Sequence, residues 1–423
     1  MKLNKVVLLS ASLSFPAFGG AYETIGTLDQ YSTDFSRAST APTDVIQVLN
    51  ESPYVYAQRL QLQSEFSLSN VNSFVDDLER LEDEVERLGV DPSEANSIID
   101  DFDGTLAKLG DAEALEFHSK VYFPYFPISF KSGNHYFSTF FEVEAGASLD
   151  FLDAPLTYDL SDQTLVTESA GRLKTYTHTS FGIDYATHLI KQKEYSLDGG
   201  IRLNAHHVGL YKELRAFDAQ RDEDIENLVL DDYKDIVETS LQLGVDATLR
   251  FENKEGVVVL GVRNINEPVF DYNKVSAYCS LPEYASERDC ISANYFVSTG
   301  EINDGGQIKM YRQAYAQATH IVPFWDLRVS GYLEANKTRD LLRDWTQMAR
   351  GEISYDCPES WVTSAFLAYE KNLVGDKEER IVGGLSLFKR VQFMGYSSTS
   401  TIKEDGRTMP EDFGFSISIN TEF

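Results

Sequence analysis

Apolar and polar side chains alternate over long stretches of the chain. From Leu241 to Phe251 every second residue is apolar, and the same period of two runs from Phe141 to Phe151. Such alternation is typical of a β-strand with one apolar and one polar face. The pattern predicts strands in both segments. Twelve further strands are predicted to start near residues 54, 119, 173, 195, 257, 307, 325, 346, 360, 380, 391 and 413.

The links between the predicted strands are alternately short and long. The short links are residues 131–134, 191–194, 253–256, 323–324, 357–359 and 389–390. The long links, which are polar or acidic, are residues 153–172, 212–236, 265–306, 337–345, 371–379 and 400–412. Outer-membrane β-barrels have tight turns at the periplasmic end and long loops at the other end, whereas a soluble β-sandwich has no reason to alternate in this way.

We therefore predict an all-β fold, namely a transmembrane outer-membrane β-barrel of about fourteen antiparallel strands over residues 54–423. The first strand and the strand near residue 119 fit this pattern least well. Pro124 and Pro127 follow the second of these strands closely, and proline cannot donate a backbone hydrogen bond to a neighbouring strand.

One part of the predicted barrel has helical periodicity instead. Between Val71 and Leu88 apolar residues recur every three or four positions, and a second such stripe runs from Ala95 to Leu109. Residues 91–94, Asp-Pro-Ser-Glu, have the composition of a helix start. We predict an antiparallel helical hairpin over residues 71–110 whose apolar stripes pack on each other. A coiled coil that binds a partner is the alternative.

The first residues have the layout of a secretory signal peptide. Lys2 and Lys5 precede an apolar run from Val6 to Phe15, and small residues follow. We predict that residues 1–21 are a signal peptide and that residues 22–53 form an N-terminal segment, a candidate plug of the barrel. No later run of about 18 apolar residues predicts a transmembrane helix. The expected location is therefore the bacterial outer membrane.

The last predicted strand ends on an aromatic residue. Phe415, Ile417, Ile419 and Phe423 occupy alternate positions on one face of this strand. A terminal phenylalanine after an amphipathic strand resembles the assembly signal of bacterial outer-membrane barrels. This resemblance implies the outer-membrane assembly machinery as a partner.

Several diffuse patterns carry a further resemblance: residues 240–246, 261–265, 311–335 and 414–423, and an acidic helical segment at 75–88. Together they resemble the outer-membrane conjugal transfer family named TraF, which shares its general architecture with FadL-type hydrocarbon transporters. The resemblance implies a role in conjugation and type IV secretion, with conjugation proteins as partners. A thioredoxin-like periplasmic protein is also named TraF. The present chain does not resemble it and has no Cys-x-x-Cys motif.

The net charge narrows the expected partners. The 37 Lys and Arg residues against 67 Asp and Glu residues give a formal charge of −30. Such a charge repels phosphate backbones, so no direct nucleic-acid binding is predicted, and outer-membrane lipid and lipopolysaccharide are the expected surroundings.

Cys279 and Cys290 lie in one polar segment and can close a small disulfide loop in an oxidising compartment, which leaves Cys357 unpaired.

A polar cluster is the best candidate site. His178, Asp184 and His188 share one face of a predicted strand, and Arg202, Asn204 and His206 share the matching face of the next strand. These six side chains face the lumen if the alternate apolar residues face lipid. One hairpin register places His178 opposite His206, and a register shifted by one pair places Asp184 opposite Arg202. A histidine pair can bind a metal or respond to pH, but solvated or ion-paired lumen side chains are the favoured interpretation.

No catalytic, cofactor-binding or metal-binding residue is assigned, because the motifs for nucleophile, phosphate and zinc sites are absent from the sequence. The aromatic residues between 122 and 141 favour a girdle at the membrane interface over a slot for an apolar ligand. We predict a non-enzymatic barrel associated with conjugal DNA transfer or type IV secretion. The alternatives are a FadL-like channel for hydrophobic small molecules and a soluble periplasmic binding protein.

Overall fold

The structure is a computed structural model that describes most of the chain from residue 57 onward. The described residues are 57–68, 115–123, 130–155, 157–159, 164–216, 238–275, 279, 288–322, 327–339, 341–342, 345–356, 361–374, 379–388, 391–404 and 407–422. The predicted signal peptide (1–21), N-terminal segment (22–53) and helical hairpin (71–110) lie outside these residues, as do Cys357 and Phe423.

The described elements are twenty-one strands and one helix. The strands are β1 Ala57–Leu68, β2 Leu115–Phe123, β3 Phe130–Ser132, β4 His135–Leu152, β5 Thr157–Asp159, β6 Thr164–Val166, β7 Ala170–Lys191, β8 Tyr195–Ala216, β9 Glu238–Asn253, β10 Gly256–Arg263, β11 Val269–Asp271, β12 Gln307–Lys309, β13 Gln313–Val322, β14 Leu327–Glu334, β15 Met348–Asp356, β16 Val362–Asn372, β17 Glu379–Leu387, β18 Val391–Ser398, β19 Thr401–Glu404, β20 Arg407–Pro410 and β21 Asp412–Glu422. The helix is α1 Arg288–Thr299. Among the described residues, none of the helical structure is both long and apolar enough to cross a membrane.

Fifteen strands form one antiparallel sheet. Among the described pairings β3 pairs only with β4, and the other fourteen strands form a ring, because β1 pairs with β2 and β21 while β2 also pairs with β4. The order around the ring is β1, β2, β4, β7, β8, β9, β10, β13, β14, β15, β16, β17, β18 and β21. Ring neighbours therefore follow each other along the chain, as in an up-and-down sheet.

The strands of the ring correspond one to one to the predicted strands, and the all-β prediction is confirmed. One predicted start is wrong: the ring strand β13 begins at Gln313, because residues 307–309 form the separate strand β12, which pairs with β11. The links also alternate in length as predicted. Three of the long links contain an antiparallel pair of short strands, formed by β5 and β6, by β11 and β12, and by β19 and β20.

The strand predicted near residue 119 is split into β2 and β3. Phe123 pairs with Phe141 and Phe130 pairs with Phe137 on the same edge of β4. Residues 138–140 of β4 lie between these two pairings. The interruption contains Pro124 and Pro127, neither of which can donate a hydrogen bond to β4.

The two faces of the ring have the opposite polarity to that of a water-soluble protein. On β7, Asp184 and His188 are buried, whereas Phe181 and Ile183 are each 46% exposed. On β8, Arg202 is buried and Leu203 is 55% exposed. The same pattern continues around the ring, with exposed Leu241, Leu243, Leu249, Val258, Leu260, Val329, Leu333, Ile353, Leu367, Ile381, Leu385, Phe393 and Phe415. The inner face is therefore polar and the outer face apolar.

The aromatic residues predicted to form one girdle divide between these two faces. Tyr136 and Phe140 are buried on the inner face, and their neighbours Phe137 and Phe141 lie on the other face of β4 because side chains alternate along a strand. The prediction of a single outward aromatic cluster is therefore wrong for Tyr136 and Phe140.

Glycines on the inner face make room for aromatic rings of the neighbouring strand. Gly182 pairs with Phe140, and a Cβ atom at Gly182 would lie 1.9 Å from Cε1 of Phe140. Gly261 stands in the same relation to Tyr315, and Gly384 to Phe366. Because each ring occupies the space that a side chain would need, these cross-strand pairs fix the packing of the inner wall.

The link between β10 and β13 folds across the end of the ring where the long links lie. Phe270 and Ile308 of this link pack against Tyr176, Val208 and Leu210 on the inner face, together with Leu341 and Leu342 from the link between β14 and β15. We call residues 264–275, 288–312 and 341–342 the cap. Its structure was not predicted, because the link was interpreted as a polar connection.

Helix α1 and several polar contacts hold the cap on the ring. Phe296 of α1 and Ile302 pack against Ala154, Ala170 and Leu214. The Lys212 ammonium donates to the backbone carbonyls of Asn303 and Gly305, each at 2.6 Å. Cys279 and Cys290 are joined by a disulfide with an S–S distance of 2.11 Å. The cap is thus attached to the wall, and its helix is also cross-linked to Cys279 of the same link.

We expect an alanine at position 182 to destabilise the ring. Its Cβ would overlap Phe140 and lie 2.7 Å from Oδ1 of Asn204, and such overpacking costs about 1–3 kcal/mol. Gly331→Ala on β14 is the matched control, because no atom lies within 4 Å of the added carbon. Urea unfolding in detergent micelles measures both free energies of unfolding. Equal values for the two variants would contradict the packing of Phe140 on Gly182.

Candidate functional site

All six residues of the predicted polar cluster are buried on the inner face of β7 and β8. Asp184 is paired with Arg202, and His178 with Val208, so the strands adopt the shifted register of the two considered. His178 nevertheless reaches His206 diagonally, with Nε2 of His178 2.9 Å from Nδ1 of His206. The structure therefore brings both pairs together.

Asp184 and Arg202 form a two-point ion pair. Nε and Nη2 of Arg202 donate to the two carboxylate oxygens of Asp184 at 2.5 and 2.9 Å. The guanidinium also lies 4.3 Å from the centre of the Phe140 ring. Both charges are almost fully buried, and this planar, paired geometry is the one that stabilises buried arginine.

His188 belongs to a separate cluster closer to the short links. Its Nδ1 lies 2.5 Å from Oδ1 of Asp198, and its Nε2 lies 2.8 Å from the Tyr136 hydroxyl. Nη1 of Arg250 is 3.6 Å from the other oxygen of Asp198. His188 therefore belongs to a different cluster from His178 and His206.

The two remaining histidines form a chain with an acidic residue of β4. Nδ1 of His178 lies 3.5 Å from Oε2 of Glu144, whose other carboxylate oxygen accepts a hydrogen bond from Tyr176 at 2.5 Å. His206 follows at the other end of this chain of contacts, and its ring lies nearly perpendicular to that of Phe270 in the cap. Its Nε2 is buried and has no hydrogen-bond partner among the described residues.

Asn204 is held by Asp246 on β9. Nδ2 of Asn204 donates to Oδ2 of Asp246 at 3.0 Å, and the backbone N–H of Asn264 donates to Oδ1 of Asp246 at 2.8 Å. Both oxygens of Asp246 are therefore engaged, one by the side chain of Asn204 on β8 and the other by the backbone that follows β10. Oδ1 of Asn204 is left buried without a hydrogen-bond partner in the described part of the chain.

These groups line a cavity of about 150 Å³ between the inner wall and the cap. The wall contributes His178, Arg202, Asn204, His206 and Asp246, and the cap contributes Met310 and Leu341. The lining is mainly polar on the wall side and has apolar side chains on the cap side. The cavity can therefore accept a small molecule that has both polar and apolar parts.

Four residues of these clusters were not predicted as part of a site: Glu144, Asp246, Asp198 and Tyr136. Glu144 and Asp246 lie on the polar faces of the two clearest alternating segments, and Asp198 has the same parity as Arg202 on β8. The pattern could therefore have placed these three on the inner face. Their contacts depend on strand register, which the pattern does not give.

The other predicted residues lie elsewhere. Cys279 and Cys290 belong to the link that forms the cap, Phe415 is exposed on the outer face, and Ile417 and Ile419 lie in β21. His207 is exposed on the outer face of β8.

Within the described residues, no three histidine, cysteine or acidic side chains are grouped so as to hold a metal ion. The histidine pair is thus not part of such a group.

Ion pairs also line the opposite wall and the cap. Arg350 pairs with Glu352 and Glu370, and Arg380 pairs with Asp412 at 2.7 Å. In the cap, a hydrogen bond from Lys309 and another from the backbone of Arg312 lower the pKa of the Glu267 carboxyl. Charged groups around the lumen are therefore mostly matched by opposite charges.

A closed antiparallel sheet with a polar inner face and an apolar outer face defines the structural class of this protein. A family model described as "F plasmid transfer operon, TraF, protein" matches residues 59–321, which is more than half of the chain. The chain belongs to this family, and the predicted resemblance is confirmed. No curated protein matches the chain significantly.

Solved structures of outer-membrane proteins are similar to the chain at low identity. The Ralstonia pickettii toluene transporter TbuX has 8% identity and a TM-score of 0.43, with 91% of this chain and 94% of that chain covered. A deltaS2S3 mutant of the monoaromatic hydrocarbon channel TodX has 6% identity and a TM-score of 0.42, with 91% and 95% covered. Outer membrane phospholipase A from Escherichia coli has 9% identity and a TM-score of 0.30, with 90% and 99% covered. Scores of this size do not identify a function.

We expect Asp184→Leu to lower the free energy of unfolding by about 3–5 kcal/mol, because it leaves the buried Arg202 without its carboxylate. The double variant Asp184→Leu/Arg202→Met should recover much of this loss, since it removes both charges. Urea unfolding of the two variants and of the Arg202→Met single variant completes the cycle. Equal losses in the single Asp184→Leu and double variants would show that solvent already screens the pair.

Proposed function

We propose that this protein is an outer-membrane β-barrel that serves the conjugal transfer apparatus and has no catalytic role. The observation that carries the proposal is the inverted polarity of the closed ring of fourteen strands. Family membership supplies the link to plasmid transfer. Export by the predicted signal peptide at residues 1–21 completes the proposed route to the membrane.

The exposed apolar face supports a lipid environment. In water, contiguous apolar patches of this extent are rare on a monomeric protein, whereas a bilayer removes them from solvent. On β8 the outward residues Ile201, Leu203 and Ala205 are apolar, whereas His207, Glu213 and Arg215 farther along the strand are polar. Residues 195–205 match the length of about 9–11 residues that a tilted strand needs to cross a bilayer.

Aromatic side chains near the short links support one boundary of that lipid zone. Tyr195, Phe251 and Tyr355 are exposed at strand ends, and Trp361 and Phe388 are exposed in the links themselves. Trp and Tyr have an apolar ring and a polar group, which suits the interface between lipid tails and water. The short links would thus lie at one membrane surface and the cap at the other.

The polarity of the two faces disfavours both alternative functions. A channel for hydrophobic small molecules needs apolar side chains along its path, but the described inner wall has buried charged and polar residues on every ring strand from β7 to β21 except β10, whose Arg263 is partly buried. A soluble periplasmic binding protein would expose the outer apolar face to water. A structural or assembly component of the transfer apparatus has neither difficulty.

The proposed partners follow from the surfaces. Outer-membrane lipid and lipopolysaccharide would contact the apolar face, and the assembly machinery would recognise β21. Proteins of the conjugation apparatus would contact one of the two ends of the ring. No direct contact with nucleic acid is proposed, because the formal charge is −30.

We expect the protein extracted from membranes to migrate differently on electrophoresis with and without boiling, because a closed ring of backbone hydrogen bonds resists detergent. The band should come from the outer-membrane fraction. The Gly331→Ala variant serves as a folded control. A soluble periplasmic protein whose mobility does not change on boiling would contradict the membrane proposal.

We expect deletion of the gene to lower the frequency of plasmid transfer and to leave growth on long-chain fatty acids unchanged. The reason is that family membership links the chain to transfer, while the polar inner face does not suit a hydrophobic solute. Mating assays and growth curves measure the two phenotypes, with complementation by the intact gene as control. The reverse pair of phenotypes would favour the hydrophobic-solute channel.

A further inference from the structure

We propose that three neighbouring turns at the short-link end of the ring form a binding surface for the phosphate groups of anionic phospholipids. The lysines of these turns are Lys131, Lys191, Lys193 and Lys254, and we call them the lysine rim. The inference rests on the membrane proposal, because it names the class of lipid that one end of the ring would contact. It does not depend on a role in plasmid transfer.

The lysine rim follows one continuous arc of the ring. Its residues lie at the turns from β3 to β4, from β7 to β8 and from β9 to β10. The strands β4, β7, β8, β9 and β10 are consecutive in the order of the ring. The first turn also touches β7, because the Thr187 hydroxyl donates to the backbone carbonyl of Asn134 at 3.0 Å. The four lysines therefore lie along one side of the same end.

The charges of the lysine rim are available to a partner. All four lysines are exposed, and within the described part of the chain none of them forms an ion pair. The Lys131 ammonium lies 5.2 Å from the centre of the Tyr136 ring, and Nζ of Lys191 lies 3.4 Å from Nε2 of His188. Neither of these neighbours is a carboxylate, so the positive charges are not neutralised by them.

The charge of this end contrasts with that of the long links. The three turns contain four lysines against Glu194 and Glu255, which leaves a net charge of +2. The long link 212–236 has nine acidic residues against four basic ones. About 30 Å of hydrocarbon would separate the two ends, and physiological salt screens charges beyond about 8 Å. The acidic long links therefore do not cancel the attraction of an anion to the rim.

The side chains next to the rim have the same layers as a phospholipid. Two strands show an exposed aliphatic residue, then an aromatic residue, then a lysine toward the short link: Ile201, Tyr195 and Lys193 at β8, and Leu249, Phe251 and Lys254 at β9. The two aromatic rings contact each other, with centres 6.0 Å apart. Acyl chains, the interfacial region and the phosphates of a bilayer follow in this order, and lysine stems reach from apolar surface to the phosphates.

Continuity with the lipid-facing surface selects the partner. An acidic protein also suits four lysines, but the rim directly borders the apolar belt. A lipid that packs on Tyr195 and Phe251 would bring its phosphate close to the lysines, and cationic residues at this depth attract anionic lipid. In the proposed orientation the short links face the periplasm, away from the leaflet that holds lipopolysaccharide. An anionic glycerophospholipid is therefore the inferred partner.

The test uses the full-length protein in non-ionic detergent micelles. Phosphatidylglycerol is the anionic probe, and phosphatidylcholine with the same acyl chains is the zwitterionic one. Native mass spectrometry of an equimolar mixture measures which lipid the protein retains. Phosphatidylglycerol should be preferred about tenfold or more, and the preference should fall when ammonium acetate is raised from about 0.05 to about 0.5 M. Equal retention of the two lipids would overturn the proposal.

Variants locate the bound lipid. Lys193→Gln/Lys254→Gln should lower the preference for phosphatidylglycerol about tenfold, because each lysine near an anionic surface contributes a factor of about five. Lys274→Gln/Lys337→Gln is the matched control, since it removes two exposed lysines from the cap and the long link 337–345. Both variants should keep the heat-dependent mobility of the folded ring. Equal losses in the two variants, or no loss in the first, would place the lipid elsewhere and refute the assignment.

A hexaglutamate peptide tests the acidic-protein alternative. It has the negative charge of such a partner but no acyl chain to pack on the aromatic residues, so it should bind about tenfold more weakly than phosphatidylglycerol. Binding as tight as that of the lipid, and dependent on Lys193 and Lys254, would replace the phospholipid with an acidic protein and overturn the proposal.

A measurement on the unmodified chain is independent of the variants. In nanodiscs, an amine-acetylating reagent should modify Lys193 and Lys254 more slowly with phosphatidylglycerol than with phosphatidylcholine, whereas the rates at Lys274 and Lys337 should not differ. Rates at Lys193 and Lys254 that do not depend on the lipid would contradict the contact. Such a failure leaves the membrane and transfer proposals standing, because fractionation and mating assays test those separately.

Discussion

The pairing of β1 with β21, together with that of β2 with β4, joins the start of the described chain to its end and leaves the ring without a free edge. An unpaired edge would present rows of backbone N–H and C=O groups, which cost several kcal/mol each where water cannot reach them. Closure satisfies these groups within the sheet. It also separates the side chains into two environments, so the polarity of the inner and outer faces depends on it.

The inner face shows how such a ring accommodates charge. Asp184 and Arg202, Arg350 and Glu370, and Arg380 and Asp412 are paired across neighbouring or nearby strands. A buried ion pair is weak evidence for stability, because removing both charges from water offsets much of their attraction. An ion pair has a clearer effect on the specificity of strand pairing, because a strand that slipped along its neighbour would separate the two partners. The charges therefore help to define the register that the apolar outer face leaves open.

The cap gives the lumen an asymmetry that bears on function. At the end with the long links, inward Tyr176, Val208 and Leu210 replace polar residues and pack against the cap, whereas farther down β7 and β8 the wall is charged. The polar cavity lies where these two regions meet. A component of a transfer apparatus is compatible with this arrangement, because the outer face and the two ends of the ring would serve that role.

The amino-acid sequence alone determined the strands, the alternation of short and long links and the two faces, because a side-chain period of two depends only on neighbouring residues. It did not determine the register of β7 on β8. A shift of one pair keeps every side chain on its own face, so the same apolar pattern fits His178 opposite His206 and Asp184 opposite Arg202. Only the tertiary structure decided between them, and only it revealed the cap, since Phe270 and Ile308 find their partners on strands that lie far away in the chain. The contacts of Asn204 with Asp246 and of His206 with His178 and Phe270 follow from that register and that cap.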